Sequence, residues 1–467
     1  MFRYADMHCH PNLKTFGHSF DKISTRKSDM WNCESPSRYT KTIHQLTGLA
    51  KFSQTDLSSM VAGGARIVFL SLYPFEKGFF KNSFIPPRIT AVLANWAIEI
   101  GYERIRHLQR HRDYFEDLQA EYKFVVSNQK ASVFGGETNI WRLANNWTEV
   151  DNARQQPNSI AVIITIEGAH VFNCGLGEYG VPPDEDQIIA NINTVKRWKY
   201  APLFIGLAHN FSNDLCGHAP SLQRLGRMVD QSRNLDTGIT DLGRKVIHAL
   251  LSDKNGKPIF IDLKHMSLLA RQEYGLILKS EYKDRSIPLI VSHGALTGRS
   301  FTGHVTKTGC LDIYNRGTLN FFDDEILAVA RSGGLFGLQM DIGIHAEKKV
   351  LKSLMPKVTS QTDVSRCAKI IWNQIQHIAS LLDAAGLRCW TTTAVGSDFD
   401  GSINPFPGVL TAGAFEPLSR ELVLLAKEFL QQKTLSVTGN RALSAEEIVD
   451  LFFFGNIEQF LKKNLSN

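Results

Sequence analysis

Eight short runs of bulky and β-branched residues alternate along this chain with segments of helical periodicity. That alternation constrains the fold more than any other feature. The runs are Phe2–His8, Arg66–Leu72, Ile160–Ile166, Leu203–Ala208, Pro258–Leu263, Pro288–Ser292, Gly334–Met340 and Thr393–Ser397. Each is near-continuously apolar, the pattern of a strand buried on both faces. Between them, Ala91–Glu121, Gly238–Leu251, Asp323–Ser332, Val364–Ala385 and Glu446–Lys463 carry apolar residues at helical spacing. Asp236-Thr237 offers a cap for the second of these helices. Eight strands alternating with helices predict a parallel α/β fold, most simply a closed (β/α)8 TIM barrel. No G-x-G-x-x-G follows a strand, so a dinucleotide fold loses support.

The chain has 467 residues, well beyond the ~250 of a bare barrel. The surplus falls in 11–65, 73–158 and 341–371, after strands one, two and seven. The reading is a single barrel domain over 1–467, with these insertions walling the catalytic face. The second insertion is expected to hold one long helix. Hydrophobic residues make up 43% and charged residues 21%, which excludes a disordered or low-complexity chain. Lys and Arg exceed Asp and Glu by six with no dense basic block, so no nucleic-acid partner is expected. No apolar run reaches the ~18–20 residues of a membrane span, and residues 1–6 lack a signal-peptide apolar region. The expected setting is cytoplasmic. The seven Cys are widely spaced without C-x-x-C, which predicts reduced thiols, no disulfide framework and no Cys-ligated zinc.

The chemistry sits at the strand ends. The first run ends Asp6-Met7-His8-Cys9-His10, and residues two apart on a strand share a face. The third ends Ile166-Glu167-Gly168, where a carboxylate after an Ile/Val run needs a partner or water, and reads either as a cap for the following helix or as a bridge between two metal ions. The later runs end at His209-Asn210, at Asp262-Leu263-Lys264-His265, at Ser292-His293 and at Gly396-Ser397-Asp398-Phe399-Asp400-Gly401. Any one of these histidines alone reads as a structural residue. A barrel, however, points all these ends at one site. His, Glu and Asp without Cys suit Zn(II) or a similar ion in a catalytic site. The expectation is two divalent ions of the zinc type, with Glu167 bridging them. Such ions lower the pKa of bound water to about 7 and so generate a hydroxide nucleophile. Asp398 is the candidate proton shuttle, and His209 the candidate stabiliser of the oxyanion. Asp400 faces the same way on an extended strand and is the substitute for Asp398.

As a set, His8-x-His10, Ile166-Glu167-Gly168, His209-Asn210, Asp262-x-x-His265-x-Ser267, Ser292-His293 and Gly396-Ser397-Asp398-Phe399-Asp400-Gly401 resemble the membrane (renal) dipeptidase family of the amidohydrolase superfamily. The resemblance runs from Asp6 to Asn456. It also includes Gly238-Ile239-Thr240-x-x-Gly243 and Asn320-x-x-Asp323-Asp324. It implies a (β/α)8 barrel with a binuclear zinc centre that hydrolyses dipeptides. His8 and His10 would bind the first metal, Glu167 would bridge, and His265 and His293 would bind the second. His209 would contact the substrate carbonyl, and Asp398 would be the acid/base beside the first metal. Two positions depart from the pattern. His10 stands where the family has Asp, which makes the site more positive by one charge. Leu319 stands where the family has the Arg that holds the substrate carboxylate, leaving Arg299 and Arg316 as candidates for that contact. Lys264 is expected to face away from His265 as a structural residue. The function so implied is a dipeptidase-like, metal-dependent hydrolase cleaving an amide in a small substrate. The alternatives are an amidohydrolase acting on another amide, lactam, lactone or ester, and an inactive barrel serving as a binding or maturation partner. The expected partners are a small peptide-like or amide substrate and, as an open oligomeric state, a homodimer.

Overall fold

The computed structural model describes residues 2–23, 26–32, 37–47, 50, 52–80, 85–134, 136–222, 229–306, 308–354 and 363–465. Ten strands form one sheet system: β1 (Tyr4–Cys9), β2 (Ala65–Leu72), β3 (Ser132–Phe134), β4 (Glu137–Leu143), β5 (Ser159–Ile166), β6 (Phe204–Gly206), β7 (Phe260–Asp262), β8 (Ile290–Gly294), β9 (Leu335–Leu338) and β10 (Thr393–Val395). Eight of them pair in parallel in the order β1-β2-β5-β6-β7-β8-β9-β10. The ring closes through main-chain bonds rather than a regular ladder. Asp398 N donates to His8 O at 2.9 Å, and His10 N donates to Phe399 O at 3.0 Å. The result is a (β/α)8 barrel, as the alternation predicts. β4 adds to the start of β5 on the edge that β6 takes farther along.

Alternation along the strands builds two apolar layers. Ala5, Met7, Ile67, Phe69, Ala161, Ile163, Phe204, Ile290, Leu335 and Ala394 pack in one cluster, the barrel interior. The intervening Tyr4, Val68, Leu70, Val162 and Ile164 pack outward with the helices. β6, β7, β9 and β10 end earlier than their apolar runs, and the chain just past them leaves the ladder to carry polar side chains. β1 loses register with β2 between Asp6 and Cys9. Asp6 accepts from Ser397 N at 2.9 Å, and Asp262 accepts from Ser292 N at 2.9 Å. These buried carboxylates tie β1 to the chain after β10, and β7 to β8.

Two helical expectations are corrected. The segment 91–121 is not one helix but parts of three: Pro87–Ile98, Tyr102–Arg110 and Tyr114–Ser127. Glu99 (φ 53°) and Gly101 (φ 92°) adopt left-handed backbone at the first break. Asp113 starts the third helix by accepting from Glu116 N, which competes with continuing the second. The helix Asp241–Leu251 is capped by Thr240, whose hydroxyl accepts from Gly243 N at 2.9 Å, not by Asp236-Thr237. Six cysteines are free thiols, and Cys33 lies outside the described residues. Among the described residues, no helix is long and apolar enough to cross a membrane.

Candidate metal centre

Six barrel strands deliver seven polar side chains to one mouth: His8 and His10 from β1, Glu167 from β5, His209 from β6, His265 from β7, His293 from β8 and Asp398 from β10. All are buried. Positive φ at His265 (66°) and Asp398 (57°) turns both out of the strand direction. Left-handed backbone is costly for such residues and concentrates at functional sites. Glu167 is the hub. Its Oε1 lies 3.4 Å from His8 Nε2, 3.5 Å from His209 Nε2, 3.5 Å from His265 Nε2 and 3.7 Å from His293 Nε2. Its Oε2 lies 3.2 Å from His10 Nε2. Asp398 Oδ1 stands 3.6 Å from His10 and 3.7 Å from His8, and its Oδ2 stands 3.8 Å from His293.

Ligand-type atoms fall into two groups that share Glu167. One contains His8, Glu167, His293 and Asp398, and the other contains Glu167, His209 and His265. The resemblance instead pairs His293 with His265 and leaves His209 to the substrate. Here the His293 ring stacks on His8, with centroids 4.1 Å apart.

The donor set fits divalent ions on its own chemistry. Both ring nitrogens of His8 and of His10, His265 Nδ1 and His293 Nε2 are buried without a hydrogen-bond partner. Buried polar atoms are seldom left so. Ions of the zinc class take neutral imidazole and carboxylate ligands. Burial and the nearby His209 charge push His265 down to about 3, and burial with the His8 and Lys264 charges pushes His293 well down. Both rings are therefore neutral with lone pairs to give. For Glu167, burial opposes ionisation, but the charges of His209 and His8 and the close approach of the His10 and His265 rings hold it well below the usual carboxylate range. Burial, with the charge of Glu167, raises Asp398. Its higher basicity suits a proton acceptor.

Three neighbours escape a reading of strand ends alone. Glu76, in the turn after β2, belongs to neither group of ligand-type atoms, but its Oε2 lies 2.6 Å from Nδ1 of His209, which does. Tyr73 Oη and the amide of Phe211 also donate to Glu76, at 3.1 and 3.0 Å. Burial would raise Glu76, yet the charge and hydrogen bond of His209 bring it to about 2. The signal for it was present: a lone carboxylate in the aromatic stretch 72–80, the same desolvation argument that marks Glu167. Gln339, just past β9, donates to Asp398 Oδ2 at 2.6 Å. It is not titratable, so a search for acids, bases and ligands passes over it.

The third neighbour is Lys264, where the expectation is corrected. It does not point away from the site. The left-handed turn at His265 breaks strand alternation, and Lys264 Nζ lies 3.3 Å from Gln339 Oε1. Burial lowers it to about 8. Asp400 is corrected too. It turns to the first insertion, where Gln54 N, Thr55 N and Thr55 Oγ1 donate to Oδ2 and Lys14 pairs with Oδ1 at 2.9 Å. It does not share the mouth with Asp398. Arg316 is ion-paired with Asp312 at 2.6 Å. Arg299 pairs its backbone with Val305 and has a buried, unpartnered Nε. Asn320, next to Leu319, braces its own loop by donating to Asn315 O and Ile344 O.

Barrel and cluster together define a protein with a buried His/carboxylate centre at the C-terminal mouth of a (β/α)8 barrel. No protein-family model matches the sequence, and no curated protein matches it. Among solved structures, the chain is similar to the dipeptidase AC, a metallo peptidase, at 13% identity and a TM-score of 0.52, covering 100% of this chain and 99% of that one. It is also similar to a metallo peptidase from Rhodobacter sphaeroides liganded with a phosphinate mimic of the dipeptide L-Ala-D-Ala. That match has 14% identity and a TM-score of 0.52, and covers 99% of each chain. The likeness is one of fold over the full length of both chains.

Proposed function

We propose that this chain is a divergent metal-dependent hydrolase of the dipeptidase type, cleaving an amide bond in a small substrate. The observation that carries the reading is the set of buried, unpartnered imidazole nitrogens around Glu167 and Asp398. The similar structures add support, since they are described as a dipeptidase and as a metallo peptidase bound to a dipeptide mimic. His8, His10, His265 and His293, with Glu167 between the two groups and Asp398 at one of them, would hold two ions of the zinc class. Bound there, such ions supply Lewis acidity for the attacked carbonyl and for a water nucleophile.

The chain's own residues do the rest. Gln339 donates to Asp398 Oδ2 and fixes the carboxylate, so that Oδ1 faces the histidines. Asp398 Oδ1 then takes a proton from the attacking water and passes it to the leaving nitrogen. Glu76 holds His209 by Nδ1, which aims Nε2 into the mouth, where it stabilises developing negative charge on the carbonyl oxygen or ligates beside His265. Buried walls exclude bulk water and strengthen each of these contacts. Leu319 lacks any group for a substrate carboxylate, and Arg316 already has Asp312 as its partner. The preferred substrates are therefore those in which a free C-terminal carboxylate matters little.

The test is metal analysis together with kcat/KM on matched dipeptides and dipeptide amides of L,L and L,D configuration. Turnover that follows metal content, without strong preference for the free acid, is expected. Fully metal-loaded protein that hydrolyses none of these, nor N-acyl amino acids or lactones, would leave the barrel as a binding protein. A strong preference for the free acid would place a carboxylate clamp elsewhere, with Arg299 the first residue to replace.

A further inference from the structure

Lys264 is buried beside the candidate centre. Among the described residues its ammonium has Gln339 Oε1, at 3.3 Å, as its hydrogen-bond acceptor and no carboxylate within ion-pair distance. Placing a charge in the interior on one neutral acceptor costs stability. The backbone holds it there. Lys264 N donates to Asp262 Oδ1 at 3.1 Å, and the left-handed turn at His265 follows. Gln339 is pinned in the same way. Its N donates to Gly294 O at 3.0 Å, and its O accepts from His345 Nε2 at 2.5 Å. The freedom that remains to it is the rotation of its side-chain amide.

The two ends of that amide are not interchangeable. An ammonium only donates, so Oε1 belongs toward Lys264. An ionised carboxylate only accepts, so Nε2 belongs toward Asp398 Oδ2, 2.6 Å away. Reversing the amide would set donor against donor at one end and acceptor against acceptor at the other. Asp398 by itself enforces this direction only while it is ionised. Once it takes up a proton its carboxyl can also donate, and an amide free to turn would then accept from Oδ2. Lys264 removes that freedom. We infer, on the hydrolase reading of the site, that Lys264 is a positioning residue: acting through Gln339, it keeps Asp398 Oδ2 an acceptor, so that the shuttled proton is held on Oδ1. Oδ1 is the oxygen that stands 3.6 Å from His10 and 3.7 Å from His8, toward the mouth. A proton there can pass to the leaving nitrogen, whereas a proton on Oδ2 is turned to Gln339 and lost to the reaction. The relay joins the chain past β7, past β9 and past β10.

A double-mutant cycle tests this. Lys264→Met keeps an unbranched side chain of similar volume without the donor, a change that cores tolerate. The substrate is the dipeptide or dipeptide amide that the wild type turns over fastest. For Lys264→Met, kcat is expected to fall roughly tenfold, with KM and metal content nearly unchanged. Gln339→Leu should lose about 10–100-fold. The double variant should be no slower than Gln339→Leu, since residues that act through one chain of contacts do not add. A second readout needs no turnover. The NMR signal of the Gln339 side-chain amide in metal-free protein, identified by its loss in Gln339→Leu, should move in Lys264→Met. A double variant slowed by the product of the two single losses overturns the inference, as does a loss confined to KM or a Gln339 amide indifferent to Lys264→Met. Wild-type protein that turns over none of these substrates, while its Gln339 amide responds to Lys264→Met, overturns the hydrolase reading and leaves the relay standing.

Discussion

Asp398 stands between two demands: it faces His8 and His10 through Oδ1 and is held by Gln339 through Oδ2. Asp398→Asn preserves shape but not the proton acceptor. Its amide oxygen should stay on the Gln339 donor, which turns the NH2 group toward the histidines. Turnover is expected to fall about 10²–10⁴-fold in protein that remains folded and metal-loaded. A variant retaining more than a tenth of the rate would overturn the assignment, and Asp400 cannot rescue it, being committed to Gln54, Thr55 and Lys14. Glu76 acts one step away, through the ring of His209. Glu76→Gln is expected to lower kcat/KM by roughly 10–100-fold, the range for groups that orient a ligating or catalytic imidazole. The loss should fall mainly on kcat. Unchanged kcat with lowered thermal stability would make Glu76 merely a buried structural acid. These two positions show what a sequence reveals at this scale. His8, His10, Glu167, His209, His265, His293 and Asp398 were legible because each ends a recognisable strand. Gln339 was not, because a hydrogen bond between side chains distant in sequence leaves no periodic trace, and Glu76 showed only as a lone carboxylate in an aromatic stretch, with nothing to tell which imidazole it holds.

At the scale of elements, the same contrast separates strands from loops. Strand positions follow from apolar runs that only burial on both faces explains. The breaks in the 87–127 helical segment depend on two residues in left-handed backbone and one capping carboxylate, which the apolar periodicity runs straight across. Joints between helices are equally hidden. His377, on the helix Asp363–Ala384, pairs with Asp323 of the helix Asp323–Ser332 at 2.9 Å, and both are almost wholly buried. Burial opposes its protonation, but the Asp323 hydrogen bond and a contact with Cys310 outweigh that and raise it to about 9. Thr308 and Tyr314 also pack against the ring. A histidine raised on folding contributes stability that is complete below its unfolded pKa of about 6.5 and is lost as pH rises through about 9. Wild-type thermal stability should therefore fall between pH 6.5 and 9 more steeply than that of His377→Gln. Removing one member of a buried pair costs about 3–5 kcal/mol, so the variant should be clearly less stable at pH 6. Parallel melting curves of the two proteins against pH would show that the pair is not the titrating joint.

At the scale of the whole molecule, the candidate metal centre measures the closure of the barrel. Its ligand-type residues come from β1, β5, β6, β7, β8 and β10, so no short segment of the chain assembles even one complete group. The unfolded chain consequently has no comparable site, and ions that bind only the folded form stabilise it by mass action, about 2.7 kcal/mol for each independent site at a free concentration of 100 Kd. Protein purified without chelator is expected to carry close to two divalent ions per chain. Stripping them should lower the melting temperature, and returning two equivalents should restore it. The two groups share only Glu167, and this predicts an asymmetry among variants. Glu167→Ala should weaken both ions and lose most of the metal-dependent stabilisation. His265→Ala should lose mainly one ion and keep the stabilisation due to the other. Elemental analysis alongside thermal unfolding reads both quantities on the same sample. Equal loss of metal in the two variants would mean that the seven residues form one site rather than two, and a melting temperature indifferent to stripping would mean that no ion is built into this mouth.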